Sequence, residues 1–282
     1  MRINSLSLEN YRNIIRCELT PGEGVNLIVG DNAQGKTNLM EAIWLLTGEK
    51  TFRYGREHDI PRLDMDRETQ RTRVYANVFA EGRDQELEYI LWPRRQVRIN
   101  GITEPGRGAF SGKLCCVIFS PNHLSLVRDG PAERRDFLDG AISQLRPQYI
   151  KVLGDYNRAL AQRSTLLREA YRDRSRLDLL PVFDYHVARL GSLIQVTRQS
   201  YLTRLAEYAA GFHQGISAGR EELSARYTIG GAGSGILDPG GSREELEQAL
   251  LSLLEQGREE DLRLGSTGVG PHRDDLALQL SG

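Results

Sequence analysis

The stretch Gly30-Asp-Asn-Ala-Gln-Gly-Lys-Thr37 fits the pattern G-x-x-x-x-G-K-[ST], and its flanks decide what the match means. Before it, residues 25–29 (Val-Asn-Leu-Ile-Val) read as a short buried strand. After it, residues 36–47 (KTNLMEAIWLLT) read as a helix that is apolar nearly all round, and Gly48 supplies a stop. Strand, glycine-bounded loop and helix together are the context that a phosphate-binding loop requires. Gly30 and Gly35 let the backbone turn tightly and approach phosphates without a Cβ clash. Successive N–H groups then form an anion nest at a helix N-terminus. The expected cradle is the whole loop: Gly30, Asp31, Asn32, Ala33, Gln34, Gly35, Lys36 and Thr37. Lys36 is expected to reach the β- and γ-phosphates of ATP, and the Thr37 hydroxyl to ligate the Mg²⁺ bound with it.

Such a loop establishes nucleotide binding and no more. Hydrolysis also needs an Asp at the end of another apolar strand. Residues 114–119 (LCCVIF) read as an apolar strand but run into Ser120-Pro121, and Asp274-Asp275 follows a turn, Gly-Pro-His-Arg. Neither fits, so a kinase or phosphotransferase with its own catalytic Asp is disfavoured, and no catalytic residue is assigned.

Further out, residues 2–8 alternate in polarity and 14–19 form a second strand, with Tyr11-Arg12-Asn13 between. Residues 51–72 carry dense charge of both signs and read as a mobile loop. Strands at 73–80 and 85–91 flank the turn 81–84, and Asn100-Gly101 marks a second hairpin. From Pro131 the pattern changes to helices at 131–143, 147–174 and 180–212. A strand returns at 222–229, a glycine-rich loop occupies 230–241, and Ser242-Arg-Glu-Glu245 is a capping box opening another helix.

Composition bounds the function. The 282 residues, at roughly 150 per domain, give about two domains. Mean hydropathy is -0.45, and no run approaches the roughly 18–20 apolar residues of a membrane span. The polar N-terminus lacks a signal-peptide core, so the expected location is cytoplasmic. Three cysteines give neither a disulfide framework nor a metal spacing. A net charge of -1 excludes a globally basic nucleic-acid binder, and any DNA contact must come from local asymmetry. Of 37 basic residues only four are lysines (Lys36, Lys50, Lys113, Lys151). Residues 141–176 hold eight basic against three acidic residues, with Arg146, Lys151, Arg158 and Arg163 at spacings compatible with one helical stripe facing a phosphate backbone. An ordinary solvated helix face is the alternative. Residues 221–282 are acidic, with five Arg against twelve Asp and Glu.

The motifs in order resemble a known family. Tyr-Arg-Asn after the first strand, the loop continuing Asn38-Leu-Met-Glu-Ala-Ile43, and Thr51-Phe52-Arg53 are similar to the heads of SMC-like, ABC-type ATPases of DNA repair. Three more segments narrow the resemblance to the RecF family of bacterial recombination mediators. They are Phe119-Ser-Pro-Asn-His-Leu-Ser-Leu-Val-Arg128, Gly130-Pro-Ala-Glu-Arg-Arg-Asp-Phe-Leu-Asp139 and Gly268-Val-Gly-Pro-His-Arg-Asp-Asp-Leu276. The resemblance implies an α/β fold: an ABC-type P-loop ATPase head, a mixed sheet with helices, interrupted by an α-helical subdomain. It places the ATPase lobe at 1–128 and 221–282 and the helical subdomain at 129–220. It adds Arg12 and Asn13 to the nucleotide site, with Arg12 near the phosphates, and offers Arg53 as a coupler of DNA to the nucleotide. His272 is expected either near the active site or as a turn-stabilising residue. Function implied by the resemblance is ATP-driven homodimerisation on single-stranded and gapped DNA, with RecR as partner in a pathway with RecO and RecA. Family members carry a signature loop and an Asp-bearing strand after the Gly-Pro-His segment. The sequence reaches only Leu280-Ser281-Gly282, so the implied lobe is incomplete, a C-terminally truncated form, and a binding fragment without hydrolysis is the alternative function.

Overall fold

Thr72, Val74, Ala76, Val78 and Ala80 are buried while the residues between them are not, the two-residue period of a strand with one face on a core. That strand lies inside a six-stranded sheet in a computed structural model that describes residues 1–53, 57–170, 173–231 and 240–281. The sheet consists of β1 (Arg2–Tyr11), β2 (Ile14–Leu19), β3 (Thr72–Ala80), β4 (Arg83–Trp92), β5 (Gln96–Ile99) and β6 (Ile102–Glu104). Its order is β2-β1-β3-β4-β5-β6, and every pairing is antiparallel. Turn chemistry fixes the hairpins: Asn100 and Gly101 both have positive φ, as a tight two-residue connection demands. Helix α1 (Lys36–Leu45) contributes Leu39, Ala42 and Leu45 to the same core as Leu6, Leu8, Val74 and Leu87.

The chain divides into two compact units. The first is residues 1–123 with 143–147, and the second is 124–142 with 148–282. The second unit contains α2 (Ser125–Arg128), α3 (Pro131–Leu145, save its last turn), α4 (Pro147–Ala170, from 148), α5 (Leu180–Ser217), α6 (Arg243–Gln256), α7 (Arg258–Leu264) and the antiparallel pair β7 (Glu222–Thr228) and β8 (Asp275–Ser281). Residues 221–282 therefore group with the helices, not with the sheet unit as the domain reading has it. The reason is packing: Tyr227 of β7 and Leu276 of β8 share a buried cluster with Leu138 and Leu202, while Leu246, Leu250 and Leu254 of α6 pack with Val187 and Ile194 of α5. The capping box at the start of α6 is complete: Ser242 Oγ accepts from the Glu245 N–H, and Glu245 Oε2 accepts from the Ser242 N–H.

Two expectations fail locally. Residues 25–29 and 114–119 carry no strand hydrogen bonding. Val25, Leu27 and Val29 are 98%, 85% and 81% exposed, and Val117 and Phe119 are 100% and 91% exposed. An apolar run becomes a buried strand only when a neighbour supplies ladder partners, and among the described residues none does. Segment 51–72 also departs from a free loop. Ile60 is fully buried, Met65 nearly so, and Pro61 bridges to Tyr11, so its few apolar residues pin it to the end of β1. Of the glycine-rich loop 230–241, residues 232–239 lie outside the described residues, as does Arg172.

Candidate phosphate-binding loop

The loop's geometry follows from its glycines. Gly35 caps α1 with φ +101°, a conformation that L side chains rarely adopt. A Cβ there would also stand 2.9 Å from Asn13 Oδ1 and 3.2 Å from Ile14 Cγ1, so glycine is required twice over. No side chain caps α1 and its first turn holds no acidic residue, which leaves its opening N–H groups and dipole available to an anion. Lys36 Nζ lies within the loop, 2.5 Å from the Gly30 carbonyl and 2.7 Å from that of Asp31. Both partners are neutral, so a phosphate oxygen offers the ammonium a stronger acceptor. Asp31, Asn32, Ala33 and Gln34 are exposed on the loop and Thr37 is exposed in the first helical turn. This donor set fits a nucleoside triphosphate: backbone N–H groups, one ammonium and one hydroxyl. Among the described residues no group of three or more His, Cys, Asp or Glu is placed to hold a metal ion.

Asn13 and Arg12 act on the loop in different ways. Asn13 Nδ2 donates to the Ala33 carbonyl at 2.7 Å, while its Oδ1 accepts from Asn38 Nδ2 at 2.7 Å. Asn38 Oδ1 in turn accepts from Arg53. This relay ties the β1–β2 turn, the loop, α1 and the segment at 51–53 together, and it places Arg53 against α1. Arg12 is committed elsewhere. Its guanidinium forks onto Glu41 of α1 at 3.0 and 2.8 Å and also donates to the Asp59 carbonyl at 3.2 Å. Glu41 is completely buried. Burial works to raise its carboxyl, but hydrogen bonds from Arg12 and Thr51 outweigh that and hold it below the usual carboxylate range. Sequence reasoning missed Glu41 because a charged residue inside a helix reads as solvent-facing.

The second unit gathers the other motifs. Arg134 forks onto Asp275 at 2.7 and 2.9 Å, and Arg135 donates to the Asp274 carbonyl at 2.7 Å. Arg198 forks onto Asp139 at 2.8 Å on both arms and donates to the Pro271 carbonyl at 2.7 Å. Asp274 accepts from Tyr227, Gln195 and the Gly230 N–H, and burial raises its carboxyl above the usual range. Segments 130–139 and 268–276 are thus locked side by side by charge-assisted hydrogen bonds. His272 belongs to this framework. Its Nε2 donates to the Thr267 carbonyl at 3.0 Å and its Nδ1 accepts from Tyr156 Oη at 2.7 Å. Burial pushes its pKa down to about 4, so the ring is neutral at pH 7.

The basic stripe does not survive as drawn. Arg163 is fully buried, with Nε 2.6 Å from Asp184 Oδ1 and Nη1 2.6 Å from Asp261 Oδ2. Helix geometry explains this: five residues beyond Arg158 is about 140° further round the axis. Lys151 and Arg158, seven apart, are both exposed on α4, and Arg158 pairs with Asp155 at 3.1 Å. Arg146 is exposed within the first unit's segment 143–147. Arg176 pairs with Glu169 at 2.6 Å.

Comparison with known proteins agrees with this geometry. Residues 1–92 match the family described as AAA ATPase domain. The DNA replication and repair protein RecF of Acetivibrio thermocellus is 33% identical over 283 residues, spanning 100% of this chain and 75% of that protein. RecF of Gloeobacter violaceus is 36% identical, spanning 99% and 73%. A solved structure described as the recombination mediator protein RecF-ATP in the RecFOR pathway superposes with a TM-score of 0.88 at 31% identity, covering 100% of this chain and 74% of that one. The chain spans about three quarters of the length of these relatives, has the α/β ABC-type ATPase fold, and belongs to the RecF family of DNA replication and repair proteins.

Proposed function

We propose that this protein binds ATP with Mg²⁺ on the loop 30–37, and that nucleotide binding switches its affinity for single-stranded and gapped DNA. The observation that carries the reading is the loop itself: uncapped α1, Gly35 held against Asn13, and Lys36 parked on two neutral carbonyls that a phosphate outcompetes. Bound ATP supplies the negative charge that α1 and Lys36 are arranged to meet, and with it the free energy for a second copy to close over the nucleotide. The chain's own contribution is positional. Asn13 and Asn38 hold the loop, and Arg12 with Glu41 fixes α1 to the end of β1. RecR, within a pathway that includes RecO and RecA, is the proposed protein partner, and the cytoplasm the proposed location. No helix among the described residues is long and apolar enough to cross a membrane.

The test is binding of a gapped duplex with and without Mg²⁺-ATP, by anisotropy, alongside Lys36→Met. ATP is expected to tighten binding at least several-fold in the wild type and to leave the variant unchanged. An ATP-independent affinity shared by both proteins overturns the switch. A second reading, a DNA- or partner-binding module without hydrolysis, draws on Asp274 and Asp275, whose carboxylates are engaged by Tyr227, Gln195 and Arg134. Mg²⁺-dependent release of phosphate by this chain, lost in Lys36→Met, would refute it.

A further inference from the structure

The hairpin β5–β6 has the register Val97↔Glu104 and Ile99↔Ile102, so the segment entering β5 runs beside the segment leaving β6. This brings Arg94 and Arg95 to the same cleft as Arg107. The cleft measures about 550 Å³, lies wholly within the first unit, and is lined also by Tyr89, Gln96, Thr103 and Glu104. Like charges brought together across a hairpin are destabilising unless a counter-charge intervenes. One does, for two of the three. Glu57 pairs with Arg107 and lies 3.2 Å from Arg95 Nη1, while Tyr89 Oη donates to its Oε2 at 3.2 Å. Arg107 is held further by the Glu49 carbonyl at 3.0 Å and sits over the Tyr89 ring at 6.0 Å. Two guanidiniums are therefore preorganised at the cleft. Arg94, exposed at its rim, has no ion-pair partner among the described residues.

We propose that this cleft is a second anion site, separate from the loop 30–37, and that it seats a backbone phosphate of single-stranded DNA on Arg94 and Arg95. The guanidinium fork suits phosphate oxygens, and Gln96 and Thr103 add neutral hydrogen-bonding groups to the wall. The proposal rests on the reading of the protein as a DNA binder and supplies that reading with a surface apart from the exposed Lys151 and Arg158 of α4.

The experiment is anisotropy of a fluorescein-labelled 20-nucleotide single strand across a salt series, for wild type, Arg94→Ala/Arg95→Ala and a control pair, Arg83→Ala/Arg204→Ala. Arg107 is left in place because Glu57 and the Glu49 carbonyl depend on it. The Arg94/Arg95 pair is expected to lower affinity roughly tenfold at low salt and to reduce the slope of log K against log salt by about one to two. The control pair is expected to change neither, and all three proteins to keep the same Tm. Competition with inorganic phosphate and with a mononucleotide identifies the source: displacement of the strand only at millimolar concentrations supports a polymer site. An unchanged affinity and slope in Arg94→Ala/Arg95→Ala overturns the inference while leaving DNA binding intact. Equal losses in the control pair reduce the effect to net charge and overturn it as well. A cleft that takes inorganic phosphate, with strand affinity unaffected, also overturns it. A wild type that binds no DNA overturns the broader reading and this inference together.

Discussion

Arg163 shows how far one side chain's role departs from its neighbours on the same helix. It joins Asp184, Asp261 and Thr267 Oγ1, residues as many as 104 positions away, in a site without solvent. Removing the guanidinium leaves buried Asp261 without its ion pair and Asp184 with Arg258 alone, so Arg163→Ala is expected to cost about 3 kcal/mol of unfolding free energy in urea titration. Lys151→Ala, on the exposed side of the same helix, is expected to stay within about 0.5 kcal/mol. Arg163 losing no more than Lys151 would return it to the surface. His272 gives a pH signature. Its native pKa of about 4 lies below the ordinary value of 6.5, so the unfolded chain binds the extra proton first. Its contribution is complete above pH 6.5, is lost as pH falls from 6.5 towards 4, and totals roughly 3 kcal/mol at most. His272→Phe should flatten the stability profile across that window, and a wild-type profile already flat there would contradict the buried neutral ring.

Elements were legible where turn or cap chemistry marks their ends. Asn100-Gly101 and the hairpin turn beginning Glu81-Gly82 stand where the turn residues put them, and the helix after Ser242 starts as its capping box requires. Ser242→Ala removes the acceptor for the Glu245 N–H and should lower stability by about 1 kcal/mol, read as a shift in the denaturation midpoint with unchanged m-value. Legibility ended where an element depends on distant partners. The run 25–29 carries the composition of a strand, but a strand's hydrogen bonds belong to its neighbour, which local pattern does not contain. The same holds for the site. Its loop could be read from eight consecutive residues, because a nest is made by local backbone. Glu41, the buried partner of Arg12, and Glu57, the partner of Arg95 and Arg107, could not, because nothing in the local sequence shows where their carboxylates point.

For the molecule as a whole, the exposed apolar segments are expected to set behaviour at high concentration. Residues 114–119 contain no charge, no proline and no glycine, and side chains at both 117 and 119 face solvent. Six residues of that kind, outside any strand ladder, match the composition from which cross-β stacking grows. The expected consequence is a nucleated process: a lag before thioflavin fluorescence rises, shortened by seeds and by protein concentration. Val117→Arg places a charge in every layer of such a stack and should lengthen the lag several-fold while leaving ATP binding at residues 30–37 unaltered. A lag indifferent to Val117→Arg would locate the nucleus elsewhere, with 25–29 the next segment to test. Self-association through such a segment would answer to protein concentration alone, since it lies outside the loop 30–37 on which nucleotide is proposed to bind.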